Sequence, residues 1–182
     1  MQKISVGKII PKHDLVTILG ERIQIPDPDR LVHFQFRRFA GCLGCNLHLH
    51  SIAKRHDELL AAGIREIAVF YSPVKAMLPH QGDLPFAVIA DPERKLYEEF
   101  GVEMRLRAVL SPRAWFAWAV GAFTLKKFPE PPREGESKLG LPADFLIDSN
   151  GRVLALKYGV HAYDQWTVDE LLALARVQAP TR

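Results

Sequence analysis

Cys42 and Cys45, the chain's two cysteines, stand two residues apart in "RRFAGCLGCNLHLH" (37–50), and His48 and His50 follow them. Residues of these types at this spacing can act as a redox dithiol, ligate a metal, or simply pack as two inert thiols, since free cysteine is commonly buried. The zinc reading rests on the pattern C-x2-C-x2-H-x-H. On a helix, His50 points about 140° away from Cys45 and His48 about 60° away. Four ligands therefore cannot converge unless the helix unwinds, and no metal is expected beyond opportunistic capture by the thiols and His48. His48 and His50 then read as solvated helix-surface residues, with His48 placed to serve as a proton donor near the thiols.

The elements around this stretch decide between the remaining readings. Upstream, "LVTILGERIQIPD" has β-branched residues on both sides of Gly20 and reads as a small hairpin. "RLVHFQFRR" supplies a strand from Leu31 to Arg37, with Val32, Phe34 and Phe36 on one face. From Leu43 to Ala62 the intervals between Cys45, Leu49, Ile52, His56 and Leu59 are helical. Lys54, Arg55, Asp57 and Glu58 lie opposite them, and Gly63 ends the helix. "REIAVFYS" and "LPFAVIADP" are continuous apolar runs, as strands buried on both faces should be, so strand, helix and strand make a parallel crossover. In "DPERKLYEEFG", Asp91 is the expected cap of a short helix, Pro92 lies in its first turn and Gly101 at its end. "ADFLIDSNGRVLALKYG" reads as a hairpin. "TVDELLALARVQ" reads as a last helix, with Thr167 and Glu170 forming a capping box.

The fold class expected is α/β: a thioredoxin-like fold with a central mixed sheet, helices on both faces, an N-terminal hairpin and a C-terminal hairpin. In that layout Cys42 lies where a strand gives way to a helix. The free N–H groups and positive dipole end there favour a thiolate and lower its pKa, and Arg37 and Arg38 can add to the effect. Cys45, one turn on, faces inward. An accessible attacking thiol beside a shielded resolving one is what dithiol chemistry needs.

On "RRFAGCLGCNLHL", "FAVIADPERKLYEEFGV" and "LPADFLIDSNGRV", the chain resembles the peroxiredoxin-like branch of the alkyl hydroperoxide reductase and thiol-specific antioxidant (AhpC/TSA) family, within the thioredoxin-like superfamily. The resemblance covers most of the chain. It implies that Cys42 is the attacking cysteine and Cys45 the resolving one; Arg38, ahead of Arg37, is the residue placed to supply the charge stabilisation of the thiolate. It also implies that Pro142 is the proline that is cis in thioredoxin-like proteins and packs beside the dithiol. The chain departs from the family pattern at two positions. Gln35 stands where a proline is usual, and Phe39, which has no hydroxyl, stands where a threonine or serine is usual. The implied activity is peroxide reduction by a Cys-x-x-Cys dithiol. The alternatives are a thiol-disulfide reductase without peroxidase activity, which the two departures favour, and a non-catalytic redox-sensing or metal-binding module. The implied partners are a peroxide or disulfide substrate and a thioredoxin-like or other dithiol electron donor; no cofactor is called for.

Between Val102 and Leu141 lies an insertion, about 103–140. Ser111 and Pro112 announce a helix that is apolar on every side from Ala114 to Phe123 and ends near Lys126 and Lys127. It falls short of the roughly 20 apolar residues that span a bilayer. It is expected to cover its own core, to make a homodimer contact through Trp115, Phe116 and Trp118, or to wall the dithiol against apolar substrates or a membrane surface. The proline-rich "FPEPPREGESKLG" then leads into Leu141 and Pro142, which can couple its position to access at Cys42.

With 182 residues, 48% of them hydrophobic, one domain over 1–182 is expected. The formal charge of +3 comes from scattered lysines and arginines, so no nucleic-acid footprint is present. Lys3, Lys8 and Lys12 interrupt the N-terminal stretch before a signal-peptide core can form, and a cytoplasmic location is expected. In that reducing compartment a Cys-x-x-Cys pair is catalytic or metal-binding rather than a structural disulfide.

Overall fold

The computed structural model describes residues 2–103 and 139–178, and between them residues 116, 119, 120, 122–124, 131, 132 and 136. Strands β1 (His13–Val16) and β2 (Arg22–Ile25) pair antiparallel, and Gly20 supplies the positive φ of the turn. β3 (Leu31–Phe36) is the centre of the main sheet, parallel to β4 (Ile64–Phe70) on one side and antiparallel to β6 (Ala143–Ile147) on the other. With β5 (Ala87–Ala90) and β7 (Val153–Tyr158) at the edges, the order is β5-β4-β3-β6-β7. This is the mixed sheet the sequence predicts.

The helices differ in three places from the sequence reading. The expected single helix from Leu43 to Ala62 is two, α1 (Leu43–Lys54) and α2 (His56–Ala61), interrupted at Arg55. Arg55 leaves helical geometry at φ −117° and reaches Glu58 and Asp169, so side-chain pairing sets a break that apolar spacing does not reveal. A helix absent from the sequence reading, α3 (Val74–Gln81), follows β4; Pro79 inside it masks the signal, while Ala76, Met77 and Gln81 are buried. α4 (Lys95–Glu99) begins later than Asp91–Pro92 suggests, because residues 91–94 form a turn and Arg94 adopts the left-handed conformation. Asp91 still does the capping: its carboxylate accepts from the N–H groups of Lys95, Leu96 and Tyr97. The last helix, α5 (Val168–Gln178), carries the expected capping box between Thr167 and Glu170.

Period two divides β3 between the two faces of the sheet. Val32, Phe34 and Phe36 enter a cluster with Phe100, Phe145 and Tyr97, where the rings of Phe36 and Tyr97 meet edge-on 4.9 Å apart. On the other face Ile52, Leu59, Ile64, Leu146, Trp166 and Leu171 bring α1, α2 and α5 against the sheet. His33 and Gln35 share that face and are fully buried there. Of the expected dimer residues, Trp115 and Trp118 lie outside the described residues, and Phe116 is 72% exposed. Among the described residues no helix is long and apolar enough to cross a membrane.

Candidate active site

Cys42 is the N-cap of α1, and its Sγ accepts from the Cys45 N–H at 3.4 Å. That geometry follows from the sequence: β3 ends at Phe36, the chain turns over Arg37 to Gly41, and the first helical residue is Leu43. The Arg38 Nη1 lies 3.7 Å from Cys42 Sγ, and the Cys45 thiol donates to it at 2.7 Å. Both thiols are free. Burial pushes the Cys42 thiol up. The hydrogen bond from Cys45, the Arg38 charge and the backbone N–H groups of Cys45 and Gly44 outweigh it, and the pKa falls to about 6. Cys45 moves the other way, pushed well above the ordinary thiol range by burial, by donating to Cys42 and by the charge next to it. The two shifts run in opposite directions, favouring the thiolate at Cys42 and the thiol at Cys45.

One expectation about Cys42 is corrected. An accessible attacking thiol is the expectation, but Cys42 is only 2% exposed. Phe39 is buried in that turn with the Arg38 guanidinium 5.6 Å from its ring centre.

Arg37 goes elsewhere. Its guanidinium turns to the opposite side of the strand end, donating to Gln35 Oε1 at 2.9 Å, Asp144 Oδ1 at 2.6 Å and His48 Nε2 at 3.1 Å. His33 sits between Glu66 and Asp144, at 2.7 and 3.1 Å, and Gln35 donates to Glu66 at 2.7 Å. The whole group is buried. Burial would neutralise His33, but the two carboxylates prevail and hold its pKa near 9. Burial likewise opposes ionisation of Asp144, but Arg37 and His33 keep its carboxyl well below the usual range. Two cations and two carboxylates therefore balance inside the sheet face under α1.

His48 corrects a second expectation. It is buried rather than solvated, and burial with the Arg37 charge holds it well below the ordinary histidine range. Since arginine has only donors, His48 Nε2 must accept, so its imidazole is neutral and engaged away from the thiols. His50 is exposed, as its helical phase requires. Among the described residues no group of three or more His, Cys, Asp or Glu side chains could hold a metal ion. Sequence reasoning missed the network, although His33, Gln35, Glu66 and Asp144 each interrupt an otherwise apolar central strand. A polar residue there must find a buried partner.

Pro142 is a third correction. Among the described residues the cis peptide bond is Ile25–Pro26, not Leu141–Pro142. Pro142 is a buried residue leading into β6, its carbonyl accepting from the Gly159 N–H at 2.9 Å, so the strand pairing that follows accounts for its position.

A five-stranded mixed sheet with a Cys-x-x-Cys pair at the strand-to-helix junction defines a thioredoxin-like thiol oxidoreductase. The family described as AhpC/TSA antioxidant enzyme matches residues 51–161, more than half of the chain. The chain belongs to that family, in the class of thiol-dependent peroxidases and disulfide oxidoreductases. The match begins after both cysteines, so the placing of the dithiol rests on the geometry above. No curated protein matches the chain. Among solved structures it is similar to the peroxidoxin BcpB from Mycobacterium tuberculosis, at 15% identity and a TM-score of 0.68, covering 94% of this chain and 96% of that one. It is also similar to AhpC from the same organism, at 14% identity, a TM-score of 0.67, and 98% and 95% coverage. A protein described as thiol:disulfide interchange protein DsbE from Chlorobium tepidum matches at 18% identity and a TM-score of 0.61, over 95% of this chain and 99% of that one. At these identities the likeness is one of fold.

Proposed function

We propose that the chain reduces peroxides with Cys42 as the nucleophile, Cys45 as the resolving thiol and Arg38 as the charge that stabilises the thiolate. The observation that carries this is the geometry of the pair, a Cys42 sulfur at the α1 N-terminus and 3.7 Å from Arg38 Nη1, with the Cys45 thiol 2.7 Å away. The Cys42 thiolate attacks the terminal peroxide oxygen. A sulfur–oxygen bond forms, the oxygen–oxygen bond breaks, and the alkoxide or hydroxide leaves and takes up a proton. Cys45 then displaces water from the sulfenic acid to give the Cys42–Cys45 disulfide. An external dithiol, of thioredoxin-like or other kind, reduces that disulfide and is itself oxidised, and the cytoplasm supplies such donors.

The test is loss of both thiols on adding one equivalent of hydrogen peroxide. Wild type should form the internal disulfide. Cys45→Ser should stop at a sulfenic acid that a dimedone probe traps, and Cys42→Ser should not react. A wild type inert to peroxide but rapidly oxidised by a small disulfide would transfer the proposal to thiol-disulfide exchange. That second reading has its own observation: Phe39, buried three residues before Cys42, offers no hydroxyl to a peroxide oxygen.

A further inference from the structure

The peptide of Ala40, two residues before Cys42, is held at both ends by side chains from three separate places in the fold. Its N–H donates to Ser72 Oγ at 2.8 Å, just after β4. Its carbonyl accepts from Asn46 Nδ2 of α1 at 2.9 Å and from Gln81 Nε2 at the end of α3 at 3.0 Å. Gln81 Nε2 also donates to Asn46 Oδ1 at 2.6 Å, joining the two amides. Ser72, Ala40 and Gln81 are buried.

The polarity of each contact is set by its neighbours. Gln81 must turn its Nε2 toward Ala40 O and Asn46 Oδ1 because both are acceptors. Its own Oε1 is left buried with no hydrogen-bond partner among the described residues. An unmatched buried acceptor is a cost that apolar packing would not retain. Ser72 has one hydroxyl proton and donates it to the Glu136 carboxylate, so it presents a lone pair to the Ala40 N–H. Glu136 belongs to the insertion, whose two ends meet where the Leu141 N–H donates to Glu103 O at 3.2 Å.

We propose that Ser72, Asn46 and Gln81 are positioning residues that clamp the Ala40 peptide, hold Cys42 against the N-terminus of α1 and shield it from solvent, with Glu136 of the insertion setting the clamp. The proposal rests on Cys42 being the attacking thiol, and it assigns the insertion a part in the reaction. With the turn clamped, the Cys42 sulfur stays within reach of the Cys45 N–H and Arg38 and is nearly closed to solvent; a substrate reaches it when the turn opens. Loosening the clamp must therefore do two opposite things: weaken the thiolate and expose the sulfur.

The test uses the full-length reduced chain, with the thiolate followed by ultraviolet absorbance against pH and access followed by the iodoacetamide rate at alkaline plateau. Ser72→Ala and Asn46→Ala are each expected to raise the Cys42 midpoint by about one unit and to speed plateau alkylation severalfold. Ser72→Thr, which keeps the hydroxyl, should return both toward wild type, and Glu136→Ala should act in the same direction as Ser72→Ala. Variants that melt lower yet keep both the midpoint and the plateau rate would overturn the clamp, leaving these residues a purely structural role. A wild-type midpoint at the ordinary thiol value would count against Cys42 as nucleophile, and the plateau rates would still decide the clamp.

Discussion

At the scale of single residues, Cys42 gathers three influences that act in the same direction: a helix N-terminus, the Cys45 thiol and Arg38. Together they overcome a burial that alone would neutralise it. The consequence is a pH profile. Reaction of Cys42 with an electrophile should rise as pH rises through about 6 and then level off, because only the thiolate attacks. Removing a nearby cation disfavours the charged form, so Arg38→Met should move that rise upward by about one unit. Arg38→Lys, which keeps the charge, should move it less. Stopped-flow alkylation between mildly acidic and mildly alkaline pH reads both, and an unmoved profile in Arg38→Met would remove Arg38 from the site. The adjacent Arg37 has the same chemistry and a different role, because alternation along the strand end sends it to Asp144 and His48.

At the scale of elements, capping and turn residues determine where helices begin, and they do so at a distance from the site. Asp91 caps α4 from four to six residues upstream, past a turn that ends in left-handed Arg94. Thr167 and Glu170 exchange hydrogen bonds at the start of α5, whose Val168 and Leu171 pack with Ile52 of α1 and Leu59 of α2. Thr167→Ala should lower unfolding free energy by about 1 kcal/mol, read by urea denaturation, while leaving the Cys42 pH profile in place. A change in that profile would mean that α5 reaches the dithiol more directly than its contacts indicate. The break at Arg55 was illegible in the apolar spacing, since Leu59 lies in helical phase with Ile52 and the interruption comes from pairing with Asp169 on another helix.

At the scale of the molecule, a neutral set of buried charges ties β3, β4, β6 and α1 together. Its stability contribution has a pH window. His33 rises from 6.5 to about 9 on folding, so its contribution is full below 6.5 and is lost as pH climbs toward 9. Asp144 is depressed from 3.8, so its contribution is present above that value and is lost in acid. Cys42, whose pKa falls on folding, works in the opposite sense over the same range, so the test is made in Cys42→Ser, which should lose melting temperature between pH 6.5 and 9.5. His33→Gln in that background should be less stable at pH 6 and show a flatter dependence over the same range. Parallel slopes in the two proteins would place the titration elsewhere.

Local rules are enough to derive the strand-to-helix junction, the inward phase of Cys45, the central strands, the two hairpins and the last capping box, because each depends on neighbours a few residues apart. They place Cys42 at the helix N-terminus and Cys45 one turn further in before any contact is known. The polar interruptions at His33, Gln35, Glu66 and Asp144 were visible but ambiguous, since a lone polar residue announces that it needs a partner without saying which one. Tertiary structure decided that Arg38 and not Arg37 faces the thiolate, that His48 is buried, that Pro142 is not the cis proline and that Cys42 is covered. It also brought Ser72 and Gln81, 32 and 41 residues along the chain, to the Ala40 peptide. Those outcomes depend on side chains meeting across the fold. Periodicity sets the direction in which a residue points, and only packing selects the group that it meets.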